Sequence, residues 1–273
     1  MATGADEGPR IGMTDVEQLL LGGDLRPLGR VVESSNNAVL VEVSSGRGTL
    51  LAIHKPVAFE RPLWDYPDGC LAFRERAAYV LSEAGGFGTV PTTVLREGPW
   101  GTGALQEWIG APEEEAEALV TVCAPQECPE GWIVVMAGED QDGRDVVLAH
   151  AADDAVRSTA VLDAVLNNSD RKGGHLLRVG GRVHGFDHGV SLGVEPKLRT
   201  VLWGWAGDAL VSEDLQRLER LSAVLTRKRL PELDTLLTEA EREALNARLD
   251  ALLASGRHPV PRPDWPAIPW PAM

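Results

Sequence analysis

The sequence predicts an α+β fold, with an antiparallel, β-rich N-terminal part followed by a helical C-terminal part and a cleft between them. Three observations predict it. Short apolar stretches separated by turn residues fill the first half, leucines at helical spacing fill the last third, and a polar, loop-rich centre joins the two. A chain of 273 residues has room for one two-lobed domain, or two small ones, around a real core.

Thr14 and Glu17 have capping-box spacing and open a short helix through Leu21, closed by Gly22 and Gly23. A three-stranded meander is expected next. Leu28 to Glu33 leads into the turn cluster 34–37, Ala38 to Val43 returns, and Thr49 to Lys55 runs to Pro56, which ends the strand. From Leu71 to Glu83, Phe73, Ala77, Val80, Leu81 and Ala84 recur on one helical face, and Gly85 and Gly86 follow. Val90–Arg96 and Gly103–Ile109 read as two further strands. The acidic, proline-containing stretch 111–131 reads as a loop or connection. Asp140-Gln141-Asp142-Gly143 marks a hairpin between Ile133–Met136 and Asp145–Leu148, and a helix is expected over Asp154–Leu166. Ser212 is expected to cap a helix carrying Leu215, Leu218, Leu221 and Leu225. Thr238 and Glu241 cap another, with Leu245, Leu249 and Leu252, ended by Gly256. The tail 257–273 alternates prolines with Trp265 and Trp270, so it is extended, either packed on the body or free.

Apolar residues make up 44% and charged residues 25%, the balance of a folded soluble protein. No run reaches the roughly 18 apolar residues of a membrane span, and the N-terminal stretch lacks an export pattern. A cytoplasmic location without stable membrane insertion is expected. Cys70, Cys123 and Cys128 are an odd set for disulfides, and Cys123 and Cys128 lack the flanking histidine pair of a zinc site. The formal charge of −15 argues against nucleic-acid partners and, less firmly, against a lipid-surface enzyme. Lysine is scarce: Lys55, Lys172, Lys197 and Lys228 are all there are.

Three stretches could carry chemistry. Lys55 ends an apolar strand, where a fixed cation suits a phosphate and where a plain solvent-facing lysine is equally at home. The run 167–175 places Asp170 in a polar turn beside a buried helix, able to orient an attacking hydroxyl, with His175 five residues on. In the run 184–189, Asp187 at a strand end followed by Gly189 suits a metal ligand near phosphates. Each is also ordinary turn chemistry. In series they become specific: strand lysine, helix with Glu75, aspartate loop, strand-Asp-x-Gly is the serial layout of protein-kinase-like folds. Neither a G-x-G-x-x-G loop nor a Walker lysine is present.

The spellings resemble the actinobacterial phosphatidylinositol 3-/4-kinase-like family, related to HipA-like kinases. Ile53-His54-Lys55-Pro56 resembles its lysine strand, Arg74-Glu75-Arg76-Ala77-Ala78-Tyr79 its R-E-x-A-A-Y helix, and Val90-Pro91-Thr92-Thr93 the strand after it. Asn168-Ser169-Asp170-Arg171 resembles its N-x-D-R loop and Asp187-His188-Gly189 its D-x-G. The resemblance covers roughly Leu28 to Ser191. It implies one two-lobed kinase-like domain over 1–273, with an N-lobe over 14–109, a C-lobe over 110–256 and the Pro/Trp-rich tail after them. It also implies an ATP-dependent phosphotransferase acting on an unidentified hydroxyl-bearing small molecule or protein, with Mg²⁺ or Mn²⁺. Carried over, Lys55 holds the α/β-phosphates and Glu75 pairs with it, although Glu83 lies on the same helix. Asp170 is the catalytic aspartate and Asp187 the metal ligand. Ser35, Asn36 and Asn37 cover the phosphates, and Glu107, Trp108 and Ile109 form the hinge that meets adenine.

One position departs from the family pattern. A second metal ligand, normally asparagine, is here His175, and imidazole suits Mn²⁺ better than Mg²⁺. His175 ligates a metal, binds phosphate or substrate, or marks altered activity. His54 and His188 are expected to point away from the site. Trp203 and Trp205 are expected in packing or along a substrate groove. The rival functions are a nucleotide-binding pseudokinase or scaffold, an AMP transferase, and docking of a protein partner through the tail.

Overall fold

The computed structural model describes residues 14–30, 38–46, 48–64, 66, 70–110 and 116–273. It is an α+β molecule with an antiparallel sheet toward the N-terminus and helices toward the C-terminus. The helix α1 (Asp15–Gly22) starts where the Thr14 hydroxyl accepts the Glu17 N–H at 3.1 Å. Only half of the expected capping box forms, because the Glu17 carboxylate instead accepts from Arg76 at 2.7 Å.

The strands β1 (Asp24–Arg30), β2 (Val39–Ser45) and β3 (Gly48–Pro56) form the meander. The first strand begins earlier than its apolar residues alone indicate, and a bulge between Pro27 and Gly29 absorbs the proline. The helix α2 (Leu71–Gly85) follows, its free N-terminal amides capped by the Glu60 carboxylate, which accepts from Leu71 at 3.0 Å and Ala72 at 2.8 Å. With β4 (Thr93–Gly98) and β5 (Gly101–Glu107) the sheet reaches five strands in the order β1-β2-β3-β5-β4. Leu20 of α1 packs onto its face with Val41, Val43, Ala52, Val94 and Leu105.

The acidic stretch after residue 115 is not a plain connection. It holds β6 (Ala116–Ala118) and β7 (Val120–Cys123), which join two separate three-stranded sheets. In one, β7 pairs with β9 (Asp145–His150) of the expected hairpin with β8 (Ile133–Glu139). In the other, β6 pairs with β10 (Leu176–Val179), itself paired with β11 (Arg182–Gly185). Between them in sequence lies α3 (Asp154–Leu166), capped by Asp153 and ended at Asn167 in the left-handed region (φ 52°).

The helices α4 (Ser212–Thr226), α5 (Leu233–Leu236) and α6 (Glu239–Ser255) complete the order. Ser212 is inside its helix rather than capping it; Val211 is the cap, and the Ser212 hydroxyl turns to Glu213. For α6 the reciprocal box of Thr238 and Glu241 forms in full, and Gly256 (φ 59°) closes the helix. Leu81, Leu162, Leu166, Leu218, Leu221, Leu245 and Leu249 bury their side chains together, welding α2, α3, α4 and α6 into one core. Arg74 of α2 donates to the Glu241 carboxylate at 3.1 and 2.5 Å, so the helix carrying Glu75 is anchored to α6. The segment 257–273 is packed rather than free: Ile268 and Ala272 lie against a second core of Leu119, Val120, Leu148 and Leu176. Among the described residues, no helix is long and apolar enough to cross a membrane.

Candidate active site

Period-two alternation decides where Lys55 points. Ala52 and His54 are buried on one face of β3, while Ile53 and Lys55 face a cavity of about 710 Å³. The Lys55 ammonium bridges two carboxylates. One is Glu75, only 2% exposed; the other is Asp187, whose Oδ1 lies 3.0 Å away and whose side chain is 45% exposed toward the cavity. Burial alone would depress the ammonium, but Asp187 and Glu75 together outweigh it and hold its pKa above the ordinary lysine range. The lysine in turn holds the Asp187 carboxyl far below the usual carboxylate range. Burial pushes Glu75 up, against the pull of Lys55. Glu83, the other candidate on α2, is not in this cluster.

Glu75 also fixes the turn that carries Asp187. Its Oε2 accepts the His188 N–H at 3.0 Å. Asp187 sits in the left-handed region (φ 61°), a conformation aspartate tolerates better than most residues, and this turns its carboxylate back toward β3. Gly189 lies close to Leu71 and Glu75: a Cβ there would sit 3.3 Å from the Leu71 side chain, a tight contact, and 3.5 Å from Glu75 Oε1, an ordinary one.

The Asp170 loop is a surface turn built like a core. Asn168 and Arg171 are fully buried and Ser169 nearly so. Asn168 Oδ1 accepts the Asp170 N–H at 3.0 Å, and its Nδ2 donates to Asp163 at 3.0 Å. Arg171 grips Asp163 with two bonds of 2.9 Å and donates further to the carbonyls of His175 (3.2 Å) and Phe186 (2.9 Å). Its Nη2 also lies 2.7 Å from His188 Nε2. One side chain therefore ties the Asp170 loop to the Asp187 turn. Ser169 donates to the Val190 carbonyl at 2.8 Å, beside the Tyr66 hydroxyl at 2.9 Å. Asp170 itself reaches the cavity, paired with Lys172 at 3.2 Å; burial raises its pKa and Lys172 opposes the rise.

His175 Nε2 stands 3.4 Å from Asp187 Oδ2, and its Nδ1 is buried without a partner. Burial lowers its pKa to about 4, so the imidazole is neutral near pH 7.

Lys55, Glu107, Trp108, Ile109, Asp170, His175 and Asp187 thus line one cavity, with Glu75 behind Lys55. Among the described residues the N–H and C=O of Ile109 have no hydrogen-bond partner. The candidates Ser35, Asn36 and Asn37 lie outside the described residues. His54 and His188 are fully buried away from the cavity. Trp203 donates to the Ala267 carbonyl and Trp205 packs on His150, so neither is among the lining residues. Residue-by-residue reading missed Lys172, legible only as a basic residue two after Asp170, and Pro271 and Met273, for which no local signal exists. Cys70, Cys123 and Cys128 are free thiols.

Fold and site together define an α+β cleft protein with a lysine held between two carboxylates, facing an aspartate loop. The chain belongs to the family of Protein Rv2133c from Mycobacterium tuberculosis, with which it is 41% identical over 267 residues, covering 95% of this chain and 96% of that protein. No protein-family model matches the chain. The crystal structure of the Helicobacter pylori proinflammatory kinase CtkA is similar at a TM-score of 0.49 with 12% identity, covering 87% of this chain and 94% of that one.

Proposed function

We propose that the chain is an ATP-dependent phosphotransferase of protein-kinase-like, phosphatidylinositol-kinase-related architecture, transferring the γ-phosphate to a hydroxyl acceptor. The observation that carries it is Lys55 held between buried Glu75 and cavity-facing Asp187, in a cavity that Asp170 also lines. A lysine paired with a helix glutamate is the arrangement that orients a nucleotide triphosphate in kinases. The open backbone groups of Ile109 suit the edge of a base. Asp170, its pKa raised by burial, is placed to accept or orient an acceptor hydroxyl, while Lys172 supplies positive charge beside it.

The residues fit a magnesium-type ion. Among the described residues no three His, Cys, Asp or Glu side chains form a ready cage, yet magnesium characteristically takes one or two carboxylates and completes its shell with phosphate oxygens and water. Asp187 is the residue that would hold it, and when bound the ion neutralises charge on the phosphates. His175, whose Nε2 stands 3.4 Å from Asp187 Oδ2, is the second candidate ligand beside it. The test is thermal stabilisation by ATP with Mg²⁺ or Mn²⁺, followed by transfer of γ-labelled against α-labelled phosphate. A metal-dependent shift and γ-transfer, both lost in Asp187→Ala, are expected. Binding without turnover would leave a pseudokinase, α-transfer an AMP transferase, and no binding would end the nucleotide reading.

A further inference from the structure

The proline-rich segment 257–273 has a definite path. Arg257 bridges Ala209, and the His258 N–H donates to the Asp208 carbonyl at 2.9 Å. The Ala267 carbonyl accepts from the Thr200 N–H at 3.0 Å and from Trp203 Nε1 at 2.8 Å, while Trp265 Nε1 donates to the Lys197 carbonyl at 3.1 Å. Finally the Gly173 N–H donates to the Ala272 carbonyl at 2.8 Å, and Pro271 and Met273 become part of the wall of the cavity that holds Lys55, Asp170 and Asp187.

Gly173 is shaped to receive this segment. Its φ lies outside the left-handed region, so glycine is not required there for backbone conformation. A Cβ there would lie 2.5 Å from Met273 Sδ, 2.9 Å from Met273 Cε and 3.0 Å from the Val120 side chain, so a side chain at this position would push the Met273 thioether aside. Gly173 and Gly174 lie between Lys172, which pairs with Asp170, and His175, which faces Asp187. Leu177, just beyond, lines the cavity and reaches Gly110 at the end of the hinge stretch. Met273 therefore lines the same cavity as the Glu107–Gly110 stretch and the Lys55, Asp170 and Asp187 cluster.

We propose that the 271–273 segment is a structural wall of the nucleotide cleft and that Met273 is a specificity-determining residue packing on the nucleoside part of the bound nucleotide. This rests on the nucleotide reading of the cleft. An unbranched thioether is suited to an irregular gap of this kind. Because the inner side of the segment is already engaged, only projecting groups such as Trp270, 88% exposed, remain on offer to a partner protein.

The chain contains four methionines, so methyl-labelled methionine gives a simple NMR spectrum in which Met273→Leu assigns the relevant signal. Gly173→Ala is expected to move the Met273 methyl resonance without any ligand. Adding ADP with Mg²⁺ is expected to move it in the wild type and not in Asp187→Ala. By calorimetry, Met273→Ala should weaken ADP about tenfold, equivalent to about 1.4 kcal/mol, and leave tripolyphosphate within about twofold. Met273 is half exposed, so its loss should leave the melting temperature in place. If ADP binds while the methyl stays still and Met273→Ala keeps full affinity, the wall is overturned and the nucleotide reading stands. If ADP and tripolyphosphate weaken equally, the contact is not with the nucleoside and the proposal falls. Absence of any nucleotide binding to the wild type would overturn both.

Discussion

Replacing Lys55 by methionine would separate two things this residue does, neutralising Glu75 and presenting a charge to the cleft. In Lys55→Met, Glu75 keeps the His188 N–H but loses its cation while only 2% exposed. Asp187, 45% exposed, is solvated by water instead. Removing one partner of a buried pair costs about 3–5 kcal/mol, and the exposure of Asp187 places this case near the lower end, at about 3 kcal/mol. For a chain of this size that corresponds to a fall in Tm of about 6–12 °C. The pH dependence has a definite sign. Without Lys55, burial and the neighbouring Asp187 carboxylate are opposed only by the His188 N–H, and they lift the folded pKa of Glu75 further above the ordinary 4.5. The native state then holds that proton more tightly than the unfolded chain, so the loss is smallest near pH 4.5 and grows as pH rises through the folded pKa. Melts at several pH values should show this. Lys55→Met/Glu75→Gln, which removes the buried charge, should regain most of the stability while ADP affinity stays lost. A single variant melting within about 2 °C of the wild type, or a double variant no more stable than the single, would refute the argument.

Asp170→Asn should keep nucleotide affinity and lower phosphate transfer by about 10²–10⁴-fold, read by comparing calorimetry with γ-phosphate release. Arg171→Met strips Asp163 of its bidentate partner in a fully buried site, and a loss of about 3–5 kcal/mol in denaturant unfolding is expected. The buried His54 has its pKa lowered to about 4 by burial, so the unfolded chain takes up its proton near 6.5 before the native state does; stability should fall from pH 6.5 to 4, and His54→Leu should flatten that slope in thermal melts. Thr238→Ala removes the hydroxyl of the α6 capping box and should cost about 1 kcal/mol, or about 2–4 °C in Tm.

Much of the fold was legible because local chemistry and tertiary contact agree. Apolar alternation ending at Pro56 places β3, and the helix expected over Asp154–Leu166 forms over those residues. The strands β6 and β7 were hidden because Ala116–Ala118 is short, exposed and acidic, so its partners lie 60 residues away in β10 rather than in its own pattern. The site was legible as a series of residue types, but its connections were not. Nothing near Arg171 announces that it points inward to Asp163 rather than outward to an anion. Proline spacing shows that 257–273 is extended, yet its destination depends on the gap at Gly173, which only packing reveals.

The buried construction of the Asp170 loop divides the freedom of this site to change. Asn168 and Arg171 are held inside the protein by Asp163 of α3, so altering either disturbs the helical body as well as the loop, while altering Ser169 disturbs its contacts with Val190 and Tyr66. Asp170 and Lys172 project from that frame, and each can be exchanged with little disturbance to the backbone beneath, whereas His175 is mostly buried beside Phe186. New chemistry can therefore be explored in this cleft one projecting side chain at a time, on a support that stays in register while the groups it displays are replaced.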